Sequence, residues 1–217
     1  MITRNTFLAI VFMVIAHGSK AQITQLELAS GHKKTDFTSF SLRSLTPTAN
    51  FSIGTLAFFQ KYHEQESFMF DETGVHSTIY WNITKAISFG PGLYYNSVAG
   101  FSQRLSLLYA IKSQYFVLTA IPTIAHVEET GLINAEMFLQ MQLTLPLKED
   151  WKLLFSAQVL TNWEKFSHHT RSFQQIRVGV DKHATQFGLA LDLDQYGDAP
   201  ITRTSPGVFV RKIFLNN

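Results

Sequence analysis

Ser167-His168-His169 sets a hydroxyl beside two imidazoles, the pairing that gives a nucleophile and a base. Adjacent side chains in a loop rarely hold that geometry, and a serine triad is defined by spatial roles rather than by neighbours in sequence. The stretch reads as part of an exposed polar loop over Thr161–Thr170. Asp192-Leu-Asp194-Gln-Tyr-Gly197-Asp198 invites a calcium-loop reading, with Gly197 at the sixth place. Tyr196 stands where a ligand belongs, and Arg203 holds the twelfth place, which needs a bidentate Glu. His63-Glu64-Gln65-Glu66 lacks the second His of the zinc-protease motif. No catalytic, cofactor-binding or metal-ligating residue is assigned from these stretches, and no cofactor is expected.

A second set is polar by parity. His76, Tyr80, Arg104, Glu136, Gln140, Gln142, Lys152, Arg177, Asp192 and Asp194 all take the parity opposite the main apolar series of their segments. Both charge signs are present. Such groups either pair with one another to fill an interior or line a pore and tune its selectivity.

The elements that must position them are strands. Ile133, Ala135, Met137, Leu139, Met141, Leu143 and Leu145 share one parity; Asn134, Glu136, Phe138, Gln140, Gln142 and Thr144 share the other. Pro146–Asp150 makes a short turn. Trp151, Leu153, Phe155, Ala157 and Val159 then alternate with Lys152, Leu154, Ser156 and Gln158. A strand crossing a bilayer at a tilt needs about 9–11 residues with one apolar face. Both arms satisfy that. The fold class expected is all-β, an antiparallel transmembrane β-barrel.

Similar runs recur along the chain. They mark ten strands between Asn50 and Leu215, and twelve with an N-terminal pair at Ile23–Ser30 and Asp36–Leu45. Both counts are even, as bacterial single-chain barrels require. Short turns fall near Thr84, Lys112, Lys148 and Lys182. Longer loops are expected after Tyr62, Asn96, Ala125, Asn162 and Asp194. Short turns are periplasmic and long loops extracellular in such barrels. Trp81, Phe89, Tyr115, Trp151 and Phe187 form one expected aromatic girdle, and Tyr62, Tyr95, Phe101, Trp163 and Phe173 the other. Pro91 and Pro122 interrupt strands, and a bulge is expected beside Pro91.

Composition agrees. Charged residues are 16% of the 217, low for a soluble chain, and aromatics 13%. Mean hydropathy is only +0.04, which excludes a bundle of membrane helices. Arg4, an apolar run Phe7–Ala16 and the small residues Ser19 and Ala21 mark a secretory signal over residues 1–21, cleaved before Gln22. Residues 22–217 are then the barrel domain. Cleavage removes Arg4 and Lys20, so Lys+Arg falls from 18 to 16 against 16 acids, and no nucleic-acid partner is implied. With no Cys, an exported chain must be closed by backbone hydrogen bonds.

A signal ending in Ala21-Gln22, no Cys, alternating strands and Phe214 near the end resemble the small outer-membrane β-barrel proteins common in Bacteroidota, many of unknown function. The resemblance is architectural and carries over no functional residue. It implies residence in the outer membrane of a Gram-negative bacterium. Its implied partners are outer-membrane lipid and the barrel-assembly machinery, with a small solute as cargo. Three functions are open: a non-enzymatic barrel, structural or a narrow channel; a lipid-modifying hydrolase with a rim site drawn from His126, Glu128, Ser167, His168 and His169; and a surface adhesin acting through its loops.

Overall fold

The computed structural model describes residues 21–64 and 70–215. The leader expected over residues 1–21 lies outside them except for Ala21. Twelve antiparallel strands run β1 (Ala21–Gly31), β2 (Lys34–Ser44), β3 (Phe51–Tyr62), β4 (Glu72–Asn82), β5 (Ile87–Asn96) and β6 (Gly100–Lys112). They continue through β7 (Phe116–Val127), β8 (Ile133–Pro146), β9 (Trp151–Glu164), β10 (His168–Lys182), β11 (Thr185–Tyr196) and β12 (Ile201–Phe214). Each pairs with its sequence neighbours. β1 closes the ring on β12, from Thr24↔Phe214 to Gly31↔Gly207. The N-terminal pair expected within residues 23–45 is therefore part of the wall. Closure leaves no unpaired edge, the condition for a sheet to stand in lipid.

Side-chain alternation divides the wall into two environments. On β6, Leu105 and Leu107 are 45% and 39% exposed, while Arg104 and Ser106 are 8% and 0% exposed. The apolar side points out of the ring and the polar side into it, the reverse of a soluble barrel. At one end Phe51, Trp81 and Phe89 are register neighbours on the outer face. At the same end of the opposite wall, Trp151 on β9 and Phe187 on β11 meet edge to face at 6.1 Å, with Lys182 Nζ 4.8 Å from the indole centroid. Amphipathic rings belong at a membrane interface.

Four expectations are corrected. The stretch Thr161–Thr170 is mostly strand: β9 runs to Glu164 and β10 begins at His168, leaving 165–167 as the turn. The loop expected over Gln195–Ser205 shrinks to 197–200. Above the apolar belt the outward face no longer has to be apolar, so hydropathy stops alternating while backbone pairing continues. Tyr62 and Phe173 do not join an outer girdle. Both lie on the inward parity, Tyr62 buried and its hydroxyl donating to Asp194 Oδ2 at 3.3 Å.

Finally, no bulge accompanies Pro91. The β4–β5 ladder lapses between Thr78↔Gly92 and Trp81↔Phe89 with the register unchanged on either side, and Pro91 stays paired with Leu105 on β6. An antiparallel residue donates to one neighbour only, so a missing N–H costs one ladder rung and needs no shift. Pro122 does the same between β6 and β7. The register does shift on β1, between Ala21 and Ile23, and on β10, between His169 and Arg171.

Candidate functional site

The barrel interior holds a network of buried charges. Glu27 on β1 accepts from Arg177 Nε on β10 at 2.9 Å and from Arg211 Nε on β12 at 2.6 Å. Arg177 Nη1 also reaches Asp192 Oδ1 at 2.5 Å. Lys34 on β2 pairs with Asp36 at 2.9 Å and with Asp194 at 2.7 Å, with Asp192 at 3.9 Å. Phe209 lies under both guanidinium groups, with Arg177 and Arg211 at 5.9 and 5.7 Å from its ring centre. It forms a small apolar plug with Ala29, Leu154 and Ala190. Ions so far from water persist only when each meets opposite charge and hydrogen-bond partners.

The longest bridge crosses the whole lumen. Arg171 on β10 pairs with Glu72 on β4, six strands away by either path around a ring of twelve. Two side chains close that chord only where opposite walls draw together, so this end of the barrel is pinched. Gln60 on β3 accepts from Arg171 and donates to the Tyr196 hydroxyl on β11 at 3.0 Å. Phe70, next to β4, packs on Tyr196 with ring centres 4.6 Å apart and sits under Arg203. Its carbonyl accepts from Gln60 Nε2 at 3.0 Å. The mouth at this end is stoppered by side chains.

A second group occupies the other wall. Arg104 Nη2 reaches Glu136 Oε2 at 2.5 Å, across β7, and covers the Tyr94 ring at 4.6 Å. Glu136 also accepts from Asn162 Nδ2. His76 stands 2.6 Å from Thr78 Oγ1 and edge-on to Tyr94. Tyr80 is buried beside Gly54, where a Cβ would meet its ring. Gln142 Oε1 accepts from Arg211 Nη1 at 3.3 Å. Gln140 is half-buried opposite Gln158, and Lys152 is exposed at the turn end opposite Asp181. At that end a cavity of about 560 Å³ opens, lined by Leu42, Ser52, Asn82, Ser88 and Leu108 among others. Its polar floor is fixed by Asn82 Oδ1, which accepts from Ser52 and Ser88 hydroxyls.

Sequence reasoning missed Glu27, Lys34, Asp36, Glu72, Arg171 and Arg211. Their signal was parity: Arg171 stands six residues from Arg177 on the same strand face. Arg171 was missed because Thr161–Thr170 reads as loop and hides the start of β10. Asp192 and Asp194 face inward and are held by Lys34 and Arg177, while Asp198 sits in the 197–200 turn on His168 Nδ1 at 3.0 Å. These carboxylates do not converge as a calcium loop would. The rim set is scattered too. His126 is on β7, three strands from β10, and Glu128 follows it in the turn. Ser167 lies in the 165–167 turn, and His169 Nε2 turns to Ser172 instead, at 2.7 Å.

A closed antiparallel ring, apolar outside and ionic inside, defines the class: an outer-membrane β-barrel. Solved structures of outer-membrane proteins are similar to the chain to different degrees. A NanC porin superposes with a TM-score of 0.53 at 7% identity, covering 91% of this chain and 100% of the porin. LpxR from Salmonella typhimurium gives 0.46 at 10% identity, covering 88% and 100%. An outer membrane channel from Pseudomonas putida F1 gives 0.45 at 8%, covering 88% and 94%. No protein-family model and no curated protein matches the chain.

Proposed function

We propose that the chain resides in the outer membrane of a Gram-negative bacterium as a structural barrel that is closed at rest. It belongs with the small Bacteroidota-type barrels, reaches the membrane through a leader cleaved before Gln22, and is inserted by the barrel-assembly machinery. The Arg171–Glu72 bridge carries the closed reading, because it joins opposite walls. The stopper of Phe70 and Tyr196 above it supports the same reading. A narrow channel for small solutes is the second reading. It is favoured by the cavity of about 560 Å³ at the turn end, which supplies a vestibule with a polar floor. A loop-borne adhesin would have to act through the connections at 63–71 and 128–132, since those at 97–99, 165–167 and 197–200 are short.

Planar-bilayer conductance tests this. The wild-type protein is expected to be silent, and Arg171→Ala with Glu72→Ala to admit small ions. Steady conductance by the wild type overturns the closed reading. Silence in both, with folded protein confirmed by its circular dichroism, leaves a purely structural barrel and removes the channel.

A further inference from the structure

Ser172 and His169 form a hydrogen-bonded nucleophile and base on the outer face of β10. Residues three apart on a regular strand face opposite ways. Here the register jumps from His169↔Trp163 to Arg171↔Asn162, so Thr170 is an extra residue. Its hydroxyl is tied to Asn162 O at 3.1 Å and Asn162 Oδ1 at 3.0 Å. Such a bulge re-aims a side chain, and this one brings His169 round beside Ser172.

The imidazole is held in a defined tautomer. His169 Nδ1 lies 2.7 Å from Gly197 O, and Nε2 lies 2.7 Å from Ser172 Oγ. A carbonyl only accepts, so the neutral ring carries its proton on Nδ1 and offers Nε2 to the serine hydroxyl. That is the arrangement a general base needs. Gly197, at φ +81, donates its own N–H to Thr170 O and so fixes the carbonyl that orients the ring. The single proton of the Ser172 hydroxyl has two acceptors in reach, His169 Nε2 and Thr161 Oγ1 at 3.0 Å, and the reaction uses it when it points to His169; Thr161 Oγ1 also accepts from Trp163 Nε1 at 2.8 Å. On the other side Gln195 is the register partner of Ser172. The Thr161 hydroxyl, which keeps its own proton, is the donor beside Ser172 that meets a developing oxyanion.

The level on the wall selects the substrate. Below this row the outer face is Ala157 and Val159 on β9, Leu191 and Leu193 on β11, and on β10 Gln174 followed by Ile176 and Val178. Thr161, Ser172 and Gln195 are the first wholly polar row, and Trp163, 39% exposed, stands edge-on to His169 with centroids 5.4 Å apart. This is the boundary where the ester carbonyls of a bilayer lipid lie, below its headgroup and above its chains. We propose that Ser172 and His169 hydrolyse acyl esters of lipid in the leaflet at this end, with the closed barrel as a rigid mount. Ser172 is buried, so substrate reaches its hydroxyl only when neighbouring side chains give way; Trp163, in contact with both partners of the serine, His169 and Thr161, is the exposed one among them.

The steps balance. Ser172 Oγ bonds to the acyl carbon while its proton passes to His169 Nε2. The tetrahedral intermediate expels the lipid alcohol, which takes that proton. Water, deprotonated by His169, then attacks the acyl-serine, and the fatty acid leaves as Ser172 regains its hydrogen. Ester and water give acid and alcohol.

The test uses the full-length protein extracted in detergent, with phosphatidylethanolamine in mixed micelles, p-nitrophenyl palmitate, p-nitrophenyl acetate and a fluorophosphonate label. Wild type should release fatty acid and carry the label on Ser172 by mass spectrometry. Ser172→Ala and His169→Asn should each lower kcat/KM by about 100-fold or more while migrating as folded barrels, and Ser167→Ala should not. Folded wild type that neither takes the label nor releases fatty acid overturns the proposal. Undiminished hydrolysis by Ser172→Ala overturns it as well. Turnover of the acetate alone overturns the lipid assignment.

Discussion

Arg177 on β10 donates its Nε–H to Glu27 on β1 at 2.9 Å, although β11 and β12 stand between their strands. The bond can form only through the interior of a closed ring. Glu27 also neutralises Arg211, so one carboxylate serves two buried guanidinium groups. Glu27→Gln leaves those cations short of opposite charge. It should destabilise the barrel by about 3–5 kcal/mol, read as a shift in urea-dependent refolding into lipid vesicles. An unchanged midpoint would show that the pair contributes nothing to closure.

Adjacent positions of β8 should differ in what they tolerate. Leu139 is 42% exposed on the outer face, and Gln140 points inward. Leu139→Arg near the midplane should cost about 2–4 kcal/mol and Gln140→Arg much less. Met141→Arg against Gln142→Arg repeats the comparison, with the contrast blunted because Gln142 faces Arg211. Equal costs at Leu139 and Gln140 would argue against lipid on the outer face.

Gly90 should resist substitution. A Cβ there would fall 1.8 Å from Ile79 O, on the β4 backbone beside the rung that Pro91 lacks. Backbone cannot step aside as a flexible side chain does. Gly90→Ala should lose about 1–3 kcal/mol of stability through overpacking, whereas Gly131→Ser, where a Cβ meets nothing within 4 Å, tests only the cost of positive φ. Thermal unfolding in detergent ranks the two, with Gly90→Ala expected to be the lower.

The loop before β4 should loosen in acid. Asp71 is opposed by partial burial, but the Lys61 ammonium and the Tyr62 N–H, each at 2.7 Å, outweigh that and hold its carboxyl below the usual aspartate range near 3.8. A depressed folded value means the anchorage is complete above about that pH and is lost as pH falls through the folded value. Amide exchange at Tyr62 should rise at low pH, and Asp71→Asn should raise it already at neutral pH. Exchange that stays flat in both forms would dismiss the anchor.

The two ends should be distinguishable on cells. Cys placed at Glu64 or Ser167 should react with an impermeant thiol reagent on intact bacteria. Cys at Ser113 or Glu149 should react only after the membrane is breached. The opposite pattern would invert the barrel, and with it the leaflet facing Ser172.

Much of the barrel was legible because lipid on one face and packed polar groups on the other impose a two-residue period. Leu139/Gln140 and Leu105/Arg104 obey it, and their strands are marked in the sequence. Where the constraint lapses, the pattern does too. On β2, Phe40 and Leu42 take the inward parity while Ser39, Ser41 and Arg43 take the outward one, so polarity there reverses. Thr161, His168 and Ser172 lie at the upper border of the apolar belt, where the outward face no longer has to be apolar, so the alternation fades and a stretch of paired strand reads as loop.

The sequence by itself determined which side chains would be sequestered from lipid, since alternation is a local property of the backbone. Only the tertiary structure decided their partners. Arg171 meets Glu72 and Arg177 meets Glu27 because the ring closes between β1 and β12, a long-range event with no local code. The Ser172–His169 pair likewise depends on one inserted residue at Thr170. Whether a strand bulges is settled by the register of the neighbour it pairs with, not by its own residues.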